Sequence, residues 1–438
     1  MKKKLLIVII AVAMLITFMP VTAYAQSGWY DDGNQYWYYY DPVTGDAWTG
    51  WHKIGGYWYY FAKDDDPNGY STGQMYDEGP MTINGKTYYF GWYDGPAAKW
   101  GKMQYGWIKD TEYYEDGLWY YADPAKDGQL AEGWKKINNK WYYFAKYGDE
   151  NYPWHVMYFD GPQYVNGYYY YFGKDGDMKT GWVKESGVYS YDDGTKQNWE
   201  DWYYADPNND SRLATGWKKI SGKWYWFYSD GEMFANDTKE INGKRYAFNR
   251  DGSLHETAGW VDLYEEYIGT DGKKFKESYW VYTDAKGVVK TGWQKISGTW
   301  YCFDDWGYMY HDEWASDSKG TMWMDSNGKI TKSKWILYDG EWYYMKADGY
   351  MATNQWVKDS AGWLYVDGSG RILKNAWAKD SKGYCWLNEN GRIAKSQEIY
   401  LEDGTYYVDG NGYMVRDAIV TIGGIQYYFG PDGKKTMG

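Results

Sequence analysis

The 438-residue sequence is short of what an ordinary enzyme or globular core is made from. After Met19 it contains no long run of Leu, Ile or Val, which argues against an aliphatic core and against any later segment crossing a membrane as a helix. Cysteine occurs twice, at Cys302 and Cys385. In a linear array that separation exceeds the ~7 Å reach of a disulfide between Cα atoms, so two buried free thiols are expected. His52, His155, His255 and His311 are the four histidines, and none stands in a nucleophile or zinc motif. Positive charge is in deficit as well, with 47 Lys and Arg against 60 Asp and Glu, a net charge of −13. That removes nucleic acids and anionic phosphates as partners held by charge alone. Two calcium-loop openings, Asp64-Asp66-Asn68 and Asp206-Asn208-Asp210, lack the closing glutamate, because Met75 and Trp217 stand in its place. With no nucleophile, metal set or separate domain, the expectation is a protein that is not an enzyme and takes no cofactor.

What fills the chain instead is aromatic: 22% of its residues are Phe, Trp or Tyr. Trp293, Trp314, Trp335, Trp356 and Trp377 recur every 21 residues. Cys302, Trp323, Tyr344, Tyr365 and Trp386 keep the same step, as do Met309, Ile330, Met351, Ile372, Ile393 and Met414. Three registers on one period mean a small unit stacked many times, each covering an apolar face that its neighbour cannot bury alone. Within a unit, GWQKISGTWYCF reads as two strands around Ser297-Gly298, and ILYDGEWYYM repeats the form around Asp339-Gly340. Turns of that composition supply the positive φ of tight hairpins. The fold class is therefore all-β, a solenoid of stacked β-hairpins, and an elongated molecule is expected because neighbours touch only neighbours.

Residues 1–25 read as a secretory signal peptide: Lys2, Lys3 and Lys4, an apolar run from Leu5 to Met19, then Ala23-Tyr24-Ala25. Losing those three lysines takes the charge from −13 to −16. Residues 26–438 read as one continuous array of about 17 hairpins, an estimate from the periodic signal. Irregular three-hairpin units occupy 51–292, with GWHKIGGYWYYF, GWKKINNKWYYF and GWKKISGKWYWF starting 83 residues apart. Regular 21-residue repeats fill 293–398, and a C-terminal cap fills 399–438. The third hairpin of each long unit has a stretched, polar, Tyr-bearing loop; loops recurring on one face of a stack can form a binding surface, and the reading preferred over it is a tolerated insertion.

GWQKISGTWYCFDDWGYMYHDEW and WILYDGEWYYMKADGYMATNQW resemble the choline-binding, or cell-wall-binding, repeats of Gram-positive surface proteins. The resemblance extends over the array and implies a left-handed superhelix of hairpins. It further implies that choline of teichoic and lipoteichoic acids is held between neighbouring hairpins by two Trp, an aromatic of the next repeat and often a Met. Carried over by position, the box falls on Trp293, Trp300, Met309 and Trp323; on Trp335, Trp342, Met351 and Tyr365; and on Trp356, Trp363, Ile372 and Trp386. In the first half it falls on Trp51, Trp58, Met75 and Tyr89, and on Trp134, Trp141, Met157 and Tyr171. Ala247 and Thr321 break the pattern, so the grooves of Trp217 and Trp314 are expected to be empty. The implied partner is a choline-bearing teichoic acid or another wall or extracellular polysaccharide, and the implied location is outside the cell, attached non-covalently to the wall. INGK hairpins resemble those of α-glucan-binding relatives, so a glycan-binding protein is the alternative, with a structural spacer as the third reading.

Overall fold

The computed structural model describes residues 27–92, 99–112 and 117–436, so the signal-peptide expectation lies outside the described residues. Among the described residues, seventeen antiparallel hairpins succeed one another and helical structure is confined to one 3-10 turn, Pro124–Lys126. The chain divides into two compact units, residues 1–184 with 202–214 and residues 185–201 with 215–438.

The shorter hairpins owe their form to their turns. Asn84-Gly85, Ser221-Gly222, Ser297-Gly298 and Asp339-Gly340 all place both central residues at positive φ, between 47° and 89°. A turn of that hand matches the right-handed twist of the strands it joins. In Gly50–Ile54 and Tyr57–Phe61 the resulting register sets Trp51 opposite Tyr60 and Lys53 opposite Trp58. Because side chains alternate, Trp51, Trp58 and Tyr60 share one face, here termed leading, while Tyr59 and Phe61 share the other, trailing face.

Successive hairpins meet head to tail. Tyr60 of one leading face packs with Met81, Ile83 and Phe90 of the next trailing face, and Trp51 and Tyr88 close the same cluster. The arrangement recurs where Trp134 and Tyr143 meet Val165, Tyr170 and Phe172, and where Trp314 and Trp323 meet Ile336, Tyr343 and Met345. Phe61, Phe90, Phe144 and Phe172 have no exposed surface. Each such ring contributes about 2–3 kcal/mol by burial, so the core is a series of thin aromatic layers and an isolated hairpin would not persist.

After each hairpin a connector returns to the stack. Its Met, Ile, Leu or Val bridges the last strand residue, as in Phe61 with Met75, Phe248 with Leu254 and Met345 with Met351. The amide of that connector residue also reaches the preceding hairpin: Met103 N donates to Trp58 O at 2.9 Å, and Met178 N to Trp141 O at 2.8 Å. Outer ties repeat this step, with Asp317–Tyr350, Asp359–Arg392 and Asp380–Tyr413 each spanning 33 residues. Longer ties, of 68 to 71 residues, cluster in one region: Gln197 with Glu265, Thr238 with Trp306 and Asp237 with Tyr308. There the tip of the hairpin built from Gly181–Ser190 and Lys196–Ala205 pairs with the one built from Gly259–Ile268 and Lys274–Thr283, completing a four-stranded sheet.

Candidate functional site

Each groove opens between the leading face of one hairpin and the trailing face of the next. Trp51 and Trp58 lie 6.3 Å apart at 89°, and Tyr88 closes the third side 4.9 Å from Trp51. Met103, Tyr105 and Asp127 complete the lining. Trp134 and Trp141 stand 6.5 Å apart at 87°, with Tyr170 at 4.8 Å and with Met178, Asp210 and Ser211 around them. A third groove joins Trp107, Trp119 and Tyr142 to Met157, Lys174 and Asp175. One Trp of each pair keeps a substantial exposed surface, with Trp58 and Trp107 37% and Trp141 42% exposed.

These sets differ from the expected ones by one strand position and one connector. Tyr89 and Tyr171 do not face the grooves of Trp51 and Trp134: Tyr89 packs with Ile108 and Tyr120, and Tyr171 lies 5.3 Å from Tyr203. Both sit on leading faces, one hairpin too far on. Head-to-tail stacking requires the third wall to come from a trailing face, which alternation places one residue earlier, at Tyr88 and Tyr170. The connector Met is displaced for a related reason. Met75 N donates to Trp37 O, Met157 N to Trp119 O, Met309 N to Trp280 O and Met351 N to Thr321 O, so each serves the groove before the one expected.

The regular repeats show the same displacement. Trp323, Tyr365 and Trp386 lie opposite Trp314, Trp356 and Trp377 within their own hairpins. The groove of Trp356 and Trp363 is lined by Cys385 and Ile393 in place of Trp386 and Ile372, with Asp380, Lys395 and Tyr413 at its rim. Ile372 packs instead with Ala352, Val357 and Val366. By the same register, Met322 and Leu364 hold the third-wall position for Trp293 with Trp300 and for Trp335 with Trp342. Those grooves keep one exposed Trp, Trp300 or Trp342, beside a half-buried one, Trp293 or Trp335, with an aliphatic or sulfur-bearing third wall.

Neither expected gap is empty of rings. Tyr246, on the trailing face, lies 5.3 Å from Trp217, and Trp224 completes that set at 6.2 Å. Ala247 points the other way and is fully buried against Val261, Leu263 and Val281. Near Trp314, Tyr338 supplies a ring at 5.9 Å although Thr321 does not. A further three-ring set, Trp260, Trp280 and Tyr301, has spacings of 6.5 and 4.9 Å.

Chemically, the grooves of Trp51, Trp107 and Trp134 each present ring faces and one carboxylate, with Lys174 beside Asp175 in that of Trp107. Lys53, Lys136 and Lys219 already hold their ammonium groups 5.7 to 6.0 Å from the centroids of Trp58, Trp141 and Trp224. Ring quadrupoles there attract cations. Asp127, Asp175 and Asp210 at the rims were not legible as site residues; the available signal was an acidic connector residue followed by a positive-φ position, Gly128, Gly176 and Ser211 respectively. Elsewhere, the first calcium-loop opening is a hydrogen-bonded turn, in which Asp66 accepts from Asn68 N and Tyr76 Oη. Cys302 and Cys385 are free and buried, and burial pushes both thiols up to about 11.

Comparison with known proteins adds the following. Choline-binding repeats match residues 214–255 and 329–371, and a cell wall binding repeat matches 49–65, 132–146, 291–309 and 420–435. Glucosyltransferase-S of Streptococcus mutans is 25% identical over 265 residues, which make up 57% of this chain and 16% of that protein's length. Among solved structures, CbpJ of Streptococcus pneumoniae is 24% identical, covering 71% of this chain and 100% of that one, with a TM-score of 0.28. Choline binding protein F of Streptococcus pneumoniae is 22% identical over 79% of this chain and 98% of that one, with a TM-score of 0.26.

Proposed function

From a chain whose repeats are of the choline-binding, cell-wall-binding kind, we propose a non-catalytic, secreted surface protein that holds the choline of teichoic and lipoteichoic acids between successive hairpins. The hairpins within each unit form a solenoid in this reading, and its grooves are the binding sites. The observation that carries it is the recurrent set of three mutually inclined rings with a carboxylate at the rim, as in Trp134, Trp141, Tyr170 and Asp210. A quaternary ammonium donates no hydrogen bond, so rings and a nearby negative charge are what recognise it. Trp51 with Trp58, Trp107 with Trp119 and Trp134 with Trp141 supply the ring-rich sites. Trp293 with Trp300, Trp335 with Trp342, and Trp356 with Trp363 supply two-Trp sites of lower affinity. Each contact contributes about 0.5–2 kcal/mol, and many sites on one chain hold a choline-decorated polymer through raised effective concentration.

Choline titration followed by tryptophan fluorescence tests this, together with elution of the protein from producing cells by choline. Saturable quenching is expected, and Trp141→Ala removes one ligand equivalent while leaving the others. A response to an α-glucan oligomer with none to choline at tens of millimolar would replace the assignment with a glycan ligand.

A further inference from the structure

The four-stranded sheet carries a second aromatic surface, separate from the grooves. On one face of its outer part stand Tyr189, Trp199, Tyr267 and Phe275, with Tyr191 at the adjoining turn. Tyr189, Tyr191 and Phe275 are 59%, 44% and 49% exposed. Tyr267 and Phe275 stack nearly parallel, 5.1 Å apart at 16°, and Tyr191 lies 6.4 Å from Tyr267. Tyr189, Tyr191 and Phe275 thus present rings to solvent, beside the half-buried Trp199 and Tyr267.

Its charge is one-sided. Glu265 and Glu277 are directly opposed across the ladder, an arrangement that costs stability when no cation lies between them. Strand positions on this face carry no Lys or Arg. Among the described residues, the hydrogen bonds to Glu265 come from neutral donors, the Tyr267 hydroxyl and the Gln197 amide at 3.4 Å. The opposite face has the same ingredients and completes them. There Tyr264 lies between Lys276, at 3.9 Å, and Arg250, at 4.9 Å, and those cations pair with Asp262 and Glu266. On one face the carboxylates pair with cations of the chain itself, whereas on the other Glu265 and Glu277 stand opposite each other with tyrosine and glutamine donors.

We propose that the ring-bearing face docks a basic segment of a partner protein, an Arg or Lys side chain seating between Glu265 and Glu277 against the Tyr267–Phe275 stack. Charge complementarity selects this occupant: a polyanion is repelled, and a neutral glycan leaves the opposed carboxylates uncompensated.

A labelled octa-arginine peptide and the full chain, in low salt, provide the test by fluorescence polarisation. Binding is expected to survive saturating choline and to weaken roughly tenfold in Glu265→Gln/Glu277→Gln and in Phe275→Ala. The charge-matched control Glu389→Gln/Glu402→Gln should bind as the parent does. Equal loss in the control overturns the proposal, because general acidity then explains the binding, as does indifference to all these variants. Binding of a neutral α-glucan oligomer that Phe275→Ala abolishes overturns it in favour of a sugar surface. The glutamine pair is nearly isosteric, so the reading does not depend on whether Phe275→Ala folds.

Discussion

At the scale of single residues, neighbouring tyrosines carry opposite consequences. Tyr170 faces the groove of Trp134 and Trp141, whereas Tyr171 is buried against Tyr203. Under the proposed function, Tyr170→Ala is therefore expected to weaken ligand binding at one groove with little loss of stability, and Tyr171→Ala to cost about 3–5 kcal/mol while sparing ligand stoichiometry. Fluorescence titration and urea denaturation of the two variants check this together. Tyr246→Ala likewise should remove a site, since that ring stands 5.3 Å from Trp217. The sequence made the Trp pairs legible because their spacing is carried by a two-residue turn. It did not show which Tyr of a YY pair enters a groove, because parity along a strand says which residues share a face but not which face the next hairpin presents. The thiols offer a third check. With pKa values near 11 both stay neutral at pH 8, so alkylation of native protein should be slow there and rise as pH approaches 11. Occupation of the Trp356–Trp363 groove should slow modification of Cys385, which lines it.

The connectors decide how one element sits on the next. Gly176 has φ +76°, and a Cβ there would fall 2.2 Å from Met157 Cε. Gly328 against Met309 and Gly433 against Met414 repeat the contact, with Sδ at 2.3 and 2.5 Å. In these three connectors the glycine thus answers two demands, backbone hand and close approach to the preceding Met. Gly328→Ala should destabilise by about 1–3 kcal/mol, seen as a lower denaturation midpoint, and the additional change Met309→Ala should not restore it fully because the positive φ remains. Hairpins with Asn-Gly or Ser-Gly turns were readable from local residues alone. The pairing of the 181–205 hairpin with the 259–283 hairpin was not, since Gln197 and Tyr267 come together only through the intervening fold and their stretch reads as a polar insertion.

Across the whole molecule, ties at fixed sequence distance link turns to later connectors. Arg392 holds Asp359 through two bonds of 2.7 and 2.6 Å, and that hydrogen-bonded pair lowers the carboxyl to about 2. A folded-state pKa below the unfolded value of about 3.9 means the stabilisation is present above pH 4 and is lost as pH falls toward 2. Both partners are partly exposed, at 23% and 32%, so the pair contributes about 1 kcal/mol or less. Arg392→Gln should accordingly fall below the parent in urea stability at pH 6, and the difference should close by pH 2. The tie lengths also set a timetable for folding as the chain is made, N-terminus first. Where bonds span 33 residues, as at Asp317–Tyr350, a hairpin settles soon after its neighbour has emerged. Around residues 197–308, with partners 68 to 71 residues apart, half-built strands must wait for chain not yet synthesised. That stretch is where nascent protein stays open longest to proteases and to mispairing.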